Sequence, residues 1–402
     1  MPTYTFAKQA IESAIDSQAE IFIRTSQQIH ENPEIGNEEV FASSQLTELL
    51  TSAGFSVKLD VAGHKTGFFA EKGDPAGPTI AFLAEYDALP GIGHACGHNI
   101  IGTTSVAAAI ALGEQLHESG GRVVVLGTPA EEGGDNGSAK GSFVREGLLA
   151  GIDAALMIHP SGETRVSGRS LAVDPVDYVF HGKPAHAAGA PEKGINALDG
   201  VIQLFNGINA LRQHVTDDVR IHGIIPDGGD AANIVPDYAR ARFYIRANTR
   251  PKTDIIRQKI DAIAQGAALA TGATLEIVEF QNKVDDLLPN DVLNERFVSI
   301  FKELGEDVQT DERDGLGSTD TGNISQVVPT IHPYIKIGPD DLVGHTVAFR
   351  EAAASPQGNQ ALTTGAKGLA LIGFQLLTEP ELLAKAKQEH AERKHAAAQA
   401  VV

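Results

Sequence analysis

The chain of 402 residues is longer than one ordinary hydrophobic core supports, so two domains are expected. With 42% hydrophobic and 21% charged residues it is globular in composition, and a net charge of -20 argues against binding nucleic acid or an anionic membrane. No apolar run of about 18 residues occurs, the start Met1-Pro2-Thr3-Tyr4 lacks a basic-then-apolar leader, and one cysteine cannot make an internal disulfide, so a cytoplasmic protein is expected.

In chain order, a helix over residues 6–30 stops before Asn32-Pro33, and a second follows with Asn37 as N-cap and Gly54 as stop. Strands are predicted at 56–59, 66–71 and 79–84, then a small-residue helix over 99–118 and a valine-rich strand at 122–127. A helix over 138–149 and a strand at 153–158 complete an alternation whose apolar strands imply an α/β fold. Its sheet is mostly parallel and covered by helices on both faces.

Near Asp174-Pro175 the texture changes. Strands at 176–182, 219–225, 240–247 and 274–280, with helices over 196–212 and 253–271, follow the order of a ferredoxin-like α+β sandwich. It is placed at 176–288, inserted into a discontinuous larger domain of 1–175 and 289–402. The remainder carries a helix over 293–304, a strand at 331–337, a closing helix over 361–377, and a tail from Glu379 that is a solvated helix or a frayed end.

Ligands of open α/β sheets bind beyond the carboxyl ends of strands. Four predicted strands end in groups that bind metals or move protons. The first runs into Glu85, Asp87, Cys96 and His98; the second into Glu131 and Glu132; the third into His159; the last leads to His345. Thiolate, imidazole and carboxylate together suit a transition metal of intermediate softness, but Cys96 and His98 would equally suit a cysteine nucleophile and its base. The adjacent Glu131-Glu132 cannot point the same way, so one is free to ligate while the other handles a proton.

Gly93-His94-Ala95-Cys96-Gly97-His98, Pro129-Ala130-Glu131-Glu132-Gly133, His159 and Gly344-His345-Thr346 resemble the co-catalytic metallopeptidase family of aminoacylases and carboxypeptidases, in its amidohydrolase branch. The string from Ala84 to Asn99 with Ser318-Thr319-Asp320-Thr321-Gly322-Asn323 looks most similar to p-aminobenzoyl-glutamate hydrolase and β-alanyl dipeptidase-like members. The resemblance implies two divalent ions, zinc first and manganese or cobalt as alternatives. Cys96 matches the bridging ligand, held by aspartate in other branches; His98, Glu132, His159 and His345 match the others. Glu131 matches the general base, and Asp87 a residue that orients a ligand. Where other branches carry a ligating His-x-Asp, this chain has Glu85-Tyr86-Asp87, so His98 takes over the coordination of the absent histidine and the role of Glu85 stays open; His94 is read as a loop residue.

In the inserted domain, Gly182-Lys183-Pro184-Ala185-His186-Ala187-Ala188 resembles the segment whose histidine reaches across a dimer to the scissile carbonyl. Asn233 matches a substrate-binding asparagine and Arg246 a clamp for a free α-carboxylate. The implied activity is metal-dependent hydrolysis of the amide of a small N-acyl amino acid or dipeptide by a homodimer joined through the inserted lid domain. It involves neither nucleic acid nor membrane. A cysteine hydrolase using Cys96 and His98, and a non-catalytic metal- or substrate-binding protein, are the rivals from other classes.

Overall fold

Thr79–Ala84 and Arg122–Gly127 form the centre of a six-stranded sheet, because nearly every side chain along them is apolar and buried. The computed structural model describes residues 4–311 and 317–399; the opening Met1-Pro2-Thr3 lies outside them. In sheet order the strands are Ser56–Val61, His64–Gly73, Arg122–Gly127, Thr79–Ala84, Ala154–Leu156 and Thr330–Ile331. The last four run parallel, and the first two form an antiparallel flank. Thr79 pairs with Arg122 and Ala84 with Gly127, so both strands release their chains at one level. That register is why Glu85 and the loop after Gly127 emerge side by side.

The helix His98–Glu114 is buried along nearly its whole length and packs against Pro356–Thr378. Its small residues permit this. A Cβ on Gly102 would stand 2.6 Å from the carbonyl oxygen of Glu85, so only glycine lets the helix approach the strand end so closely.

Several boundaries differ from the sequence expectation. Asn37 does not cap the second helix, which is Val40–Ser52; the Glu34 carboxylate instead accepts the N–H groups of Phe41 and Ala42 at 2.9 and 3.0 Å. Asn37 is left-handed, with φ 65°, and bonds to the carbonyls of Asp135 and Asn136. The strand expected at 331–337 is broken at His332-Pro333: Thr330–Ile331 joins the main sheet, and Tyr334–Lys336 joins a second sheet beside His159–Ser161. The expected helix 138–149 closes earlier, as Ala139–Arg145. The tail is a helix, Pro380–Gln399, which buries Leu382, Leu383, Ala386 and His390 at spacings that share one face.

The chain divides into two compact units, Met1–Arg169 with Leu287–Ala397, and Ser170–Asp286. The second holds a four-stranded antiparallel sheet, ordered Thr274–Val278, Ala172–His181, Tyr238–Ala247, Arg220–Asp227, with helices Ala197–Leu211 and Arg250–Thr271. Val176, Tyr178, Phe180, Leu204, Phe243 and Ile260 form its core. Its first strand starts before Pro175, which read as a break. The ladder to Thr274–Val278 covers only Asp177 to His181, so the proline sits where the strand has one regular partner.

Candidate metal centre

Cys96 is held in a turn between left-handed Gly93 and Gly97, with φ of 81° and 77°. Gly97 precedes the helix that carries His98 on its first residue. The carbonyl of Ala95 accepts the N–H of His345 at 2.9 Å, which staples the cysteine turn to the loop bearing His345, itself left-handed at φ 61°. Such backbone strain in a non-glycine residue persists only where its surroundings impose it.

The Glu131-Glu132 turn is fixed at three backbone points. Left-handed Ala130, φ 58°, donates its N–H to buried Glu39 at 2.9 Å and accepts from Ser138 N–H at 2.7 Å. Glu132 N–H donates to Asp87 Oδ2 at 3.0 Å. The other oxygen of Asp87 is 2.8 Å from His98 Nδ1, so Nδ1 donates to that carboxylate and Nε2 is the nitrogen turned toward the cluster. His159 is set the same way: Nδ1 lies 2.7 Å from Pro160 O, and Nε2 lies 3.4 Å from Cys96 Sγ.

These residues converge on Cys96. Donor atoms of Cys96, His98 and His159 lie within 4.8 Å of one another, and so do those of Cys96, Glu132 and His345. Ligands about 2.0–2.3 Å from a tetrahedral ion stand roughly 3.3–3.7 Å apart; the 3.4 Å from Cys96 to His159 and the 3.5 Å from Glu132 to His345 match that edge. His98 Nε2 and Glu132 Oε1 are buried with no hydrogen-bond partner. Buried polar atoms seldom lack one, so this donor set fits a pair of cations sharing the thiolate. His94 is buried and stacks on His30 at 6.1 Å, outside those groups.

Burial and neighbouring charge together set the proton affinities of these groups. Burial disfavours charged His98, but the Asp87 carboxylate and its hydrogen bond outweigh that and hold its pKa well above the usual imidazole range. Removal from water, followed by the carboxylates of Glu85, Asp320 and Glu132, pushes Glu131 well above the usual carboxylate range. Removal from water, then Glu132, raises the Cys96 thiol; removal from water, then neighbouring His332, lowers His159 to about 3, leaving it a neutral donor. A bound cation reverses the logic for a thiol, which it deprotonates outright.

Sequence reasoning missed Glu39, Lys140 and the part played by Asp320. Lys140 is fully buried, with Nζ 2.6 Å from Glu85 Oε1 and 2.5 Å from Asp320 Oδ1. The available signal was a lysine one helical turn before buried Phe143, on an apolar face.

The remaining candidates lie in the second unit. His186 and Asn233 are exposed neighbours: Ala187 N–H donates to Asn233 O at 3.0 Å, and His186 bridges to Ile234. His186 Nδ1 accepts from the N–H groups of Ala188 and Gly189 at 3.2 and 3.0 Å, which puts the ring proton on Nε2. Arg246 lies on Tyr238–Ala247, half-buried, with its guanidinium 5.7 Å from the Tyr244 ring centroid.

A model of Peptidase family M20/M25/M40 matches residues 81–362. The chain is 36% identical over 398 residues to the mouse (Mus musculus) Xaa-Arg dipeptidase, spanning 95% of this chain and 91% of that protein. It is 35% identical over 316 residues to one of the subunits of p-aminobenzoyl-glutamate hydrolase from Escherichia coli, spanning 73% and 65% of the two chains. In fold it is similar to a solved Bacillus subtilis protein described as a dinuclear metal-binding peptidase. That match has a TM-score of 0.63 and 21% identity and covers 90% and 99% of the two chains.

Proposed function

Because this chain belongs to peptidase family M20/M25/M40, we propose that it hydrolyses the amide bond of a dipeptide or a small N-acyl amino acid. That it is a hydrolytic enzyme acting on amides follows from the family and its relatives. The observation that carries the finer reading is the sharing of Cys96 by two donor groups, with Glu131 beside them.

In this reading Cys96, His98 and His159 hold one ion, and Cys96, Glu132 and His345 the other. Zinc suits the thiolate and imidazoles, with manganese or cobalt as alternatives. When bound, such ions supply Lewis acidity and lower the pKa of water. With cations bound nearby to favour its ionised form, Glu131 would accept the proton of the attacking water at its carboxylate and deliver it to the leaving nitrogen. The Nε2–H of His186, contributed by a partner chain, donates to the oxygen on which charge develops. Asn233 and Arg246 orient the substrate, the guanidinium taking the free α-carboxylate.

A homodimer through the second unit is part of this reading, supported by its edge strand Arg220–Asp227, on which Ile224 and Ile225 are exposed. A reducing cytoplasm suits a thiolate ligand.

The test is removal of metal with a chelator, then readdition of zinc, manganese or cobalt. It is assayed on dipeptides with basic and neutral carboxyl-terminal residues, p-aminobenzoyl-glutamate, and acetyl and benzoyl amino acids. Loss and metal-specific recovery are expected. Activity that survives the chelator and dies with a thiol alkylating agent would establish the cysteine-hydrolase alternative.

A further inference from the structure

The short helix Ala139–Arg145 carries an ammonium group into the protein interior. Lys140 is fully buried, and its Nζ pairs with Glu85 Oε1 at 2.6 Å and Asp320 Oδ1 at 2.5 Å. Its own backbone N–H takes the second oxygen of Asp320 at 3.2 Å. The side chain therefore bridges two carboxylates from separate segments of the chain. A third belongs to the same group, since ligand oxygens of Glu85, Asp320 and Glu131 all lie within 4.8 Å of one another. The free oxygen of Glu85 is buried without a hydrogen-bond partner, 3.6 Å from His98 Nε2.

Burying an ion pair is seldom a route to stability, because a well-packed apolar group at the same place serves as well or better. A lysine kept among three carboxylates beside a cation site thus asks for a use. Coulomb repulsion among three close, buried carboxylates would drive them apart or neutralise them. One fixed positive charge holds two of them rigidly, and these become the wall against which the third is oriented.

We propose that Lys140 is a positioning residue for amide hydrolysis. Its ammonium locks Glu85 and Asp320 into a frame that aims the Glu131 carboxylate toward the attacking water and keeps Glu85 facing His98. The inference rests on the reading of Glu131 as the general base.

The measurement is steady-state kinetics on the metal-loaded full-length enzyme, with metal content and melting temperature followed in parallel. Lys140→Met keeps an unbranched side chain only one atom shorter and removes its charge. It should lower kcat about 10- to 100-fold, leave KM within about threefold, and retain the metal content of the parent. The double variant Lys140→Met with Asp320→Asn removes one negative charge with the positive one and so restores the net charge of the cluster, and it should recover lost melting temperature while kcat stays low. It also carries the test alone if the single variant does not fold. Recovery of kcat together with stability would show a merely structural ion pair and overturn the proposal, as would an unchanged kcat in Lys140→Met. Glu131→Gln separates the two levels. If it stays active, the general-base reading falls and takes this inference with it. If it is inactive while Lys140→Met turns over like the parent, only the role of Lys140 is refuted.

Discussion

Asp87 Oδ1 stands 2.8 Å from His98 Nδ1, and this bond decides which imidazole nitrogen faces the cluster around Cys96. The second oxygen of the same carboxylate accepts the Glu132 N–H, so one side chain orients two of the proposed ligands. Asparagine offers a single acceptor oxygen, and one of these bonds must be lost. Asp87→Asn should therefore weaken metal affinity about 10- to 100-fold, measured by competition with a chromophoric chelator. An unchanged affinity would refute the orienting role.

Cys96 belongs to both donor groups, whereas His159 and His345 belong to one each. Cys96→Ser should therefore lower the occupancy of both ions, and His159→Ala should leave about one ion per chain. Elemental analysis after exhaustive dialysis reads the difference. Equal losses in the two variants would argue against a shared thiolate.

Glu131 is the group whose removal should stop chemistry without emptying the site. Glu131→Gln is expected to lower kcat about 10²- to 10⁴-fold with metal content unchanged. Loss of metal in parallel would make Glu131 a ligand instead.

Glu39 accepts the N–H of Ala130 and the hydroxyl of Thr66, and burial, then the nearby Asp87 charge, pushes it from 4.5 to about 7. A carboxyl raised on folding binds more protons in the native than in the unfolded state between those values. Its contribution to stability is thus complete below about 4.5 and lost as pH rises through about 7. The loss is roughly 3 kcal/mol. Urea unfolding of Glu39→Gln should gain on the parent by that order between pH 5 and pH 8. Parallel stability curves for the two proteins would count against a raised Glu39.

Gly102 faces the carbonyl of Glu85 with space for a hydrogen only. Gly102→Ala should destabilise the protein by about 1–3 kcal/mol, seen in thermal unfolding. It should also lower activity at temperatures where the protein remains folded, because relief of the clash moves the strand end that carries Glu85.

The order of elements was open to sequence because apolar runs such as Val123-Val124-Val125-Leu126 have a single buried solution. Breaks were harder to place. His332-Pro333 divides a segment that reads as one strand, since the two halves pair with different sheets and pairing is non-local. Asn37 shows the same limit. It has the composition of a helix cap, yet Glu34 supplies the carboxylate and Asn37 turns to other partners.

Residue order alone is enough to give the class of chemistry and the strand ends that bear it. Cysteine, histidine and paired glutamates are scarce residue types, and a strand end projects them on one edge of a parallel sheet. Which of them meet is settled in three dimensions: Cys96 with two separate donor groups, Asp87 between His98 and Glu132, and Glu39 under the turn of Glu131. The same packing makes the cation beside Glu85 and Asp320 a lysine of this chain. The reason is physical. Ion pairs and orienting hydrogen bonds join residues far apart in sequence, and they leave no period along the chain; they exist only once packing has removed the water that would otherwise solvate each group alone.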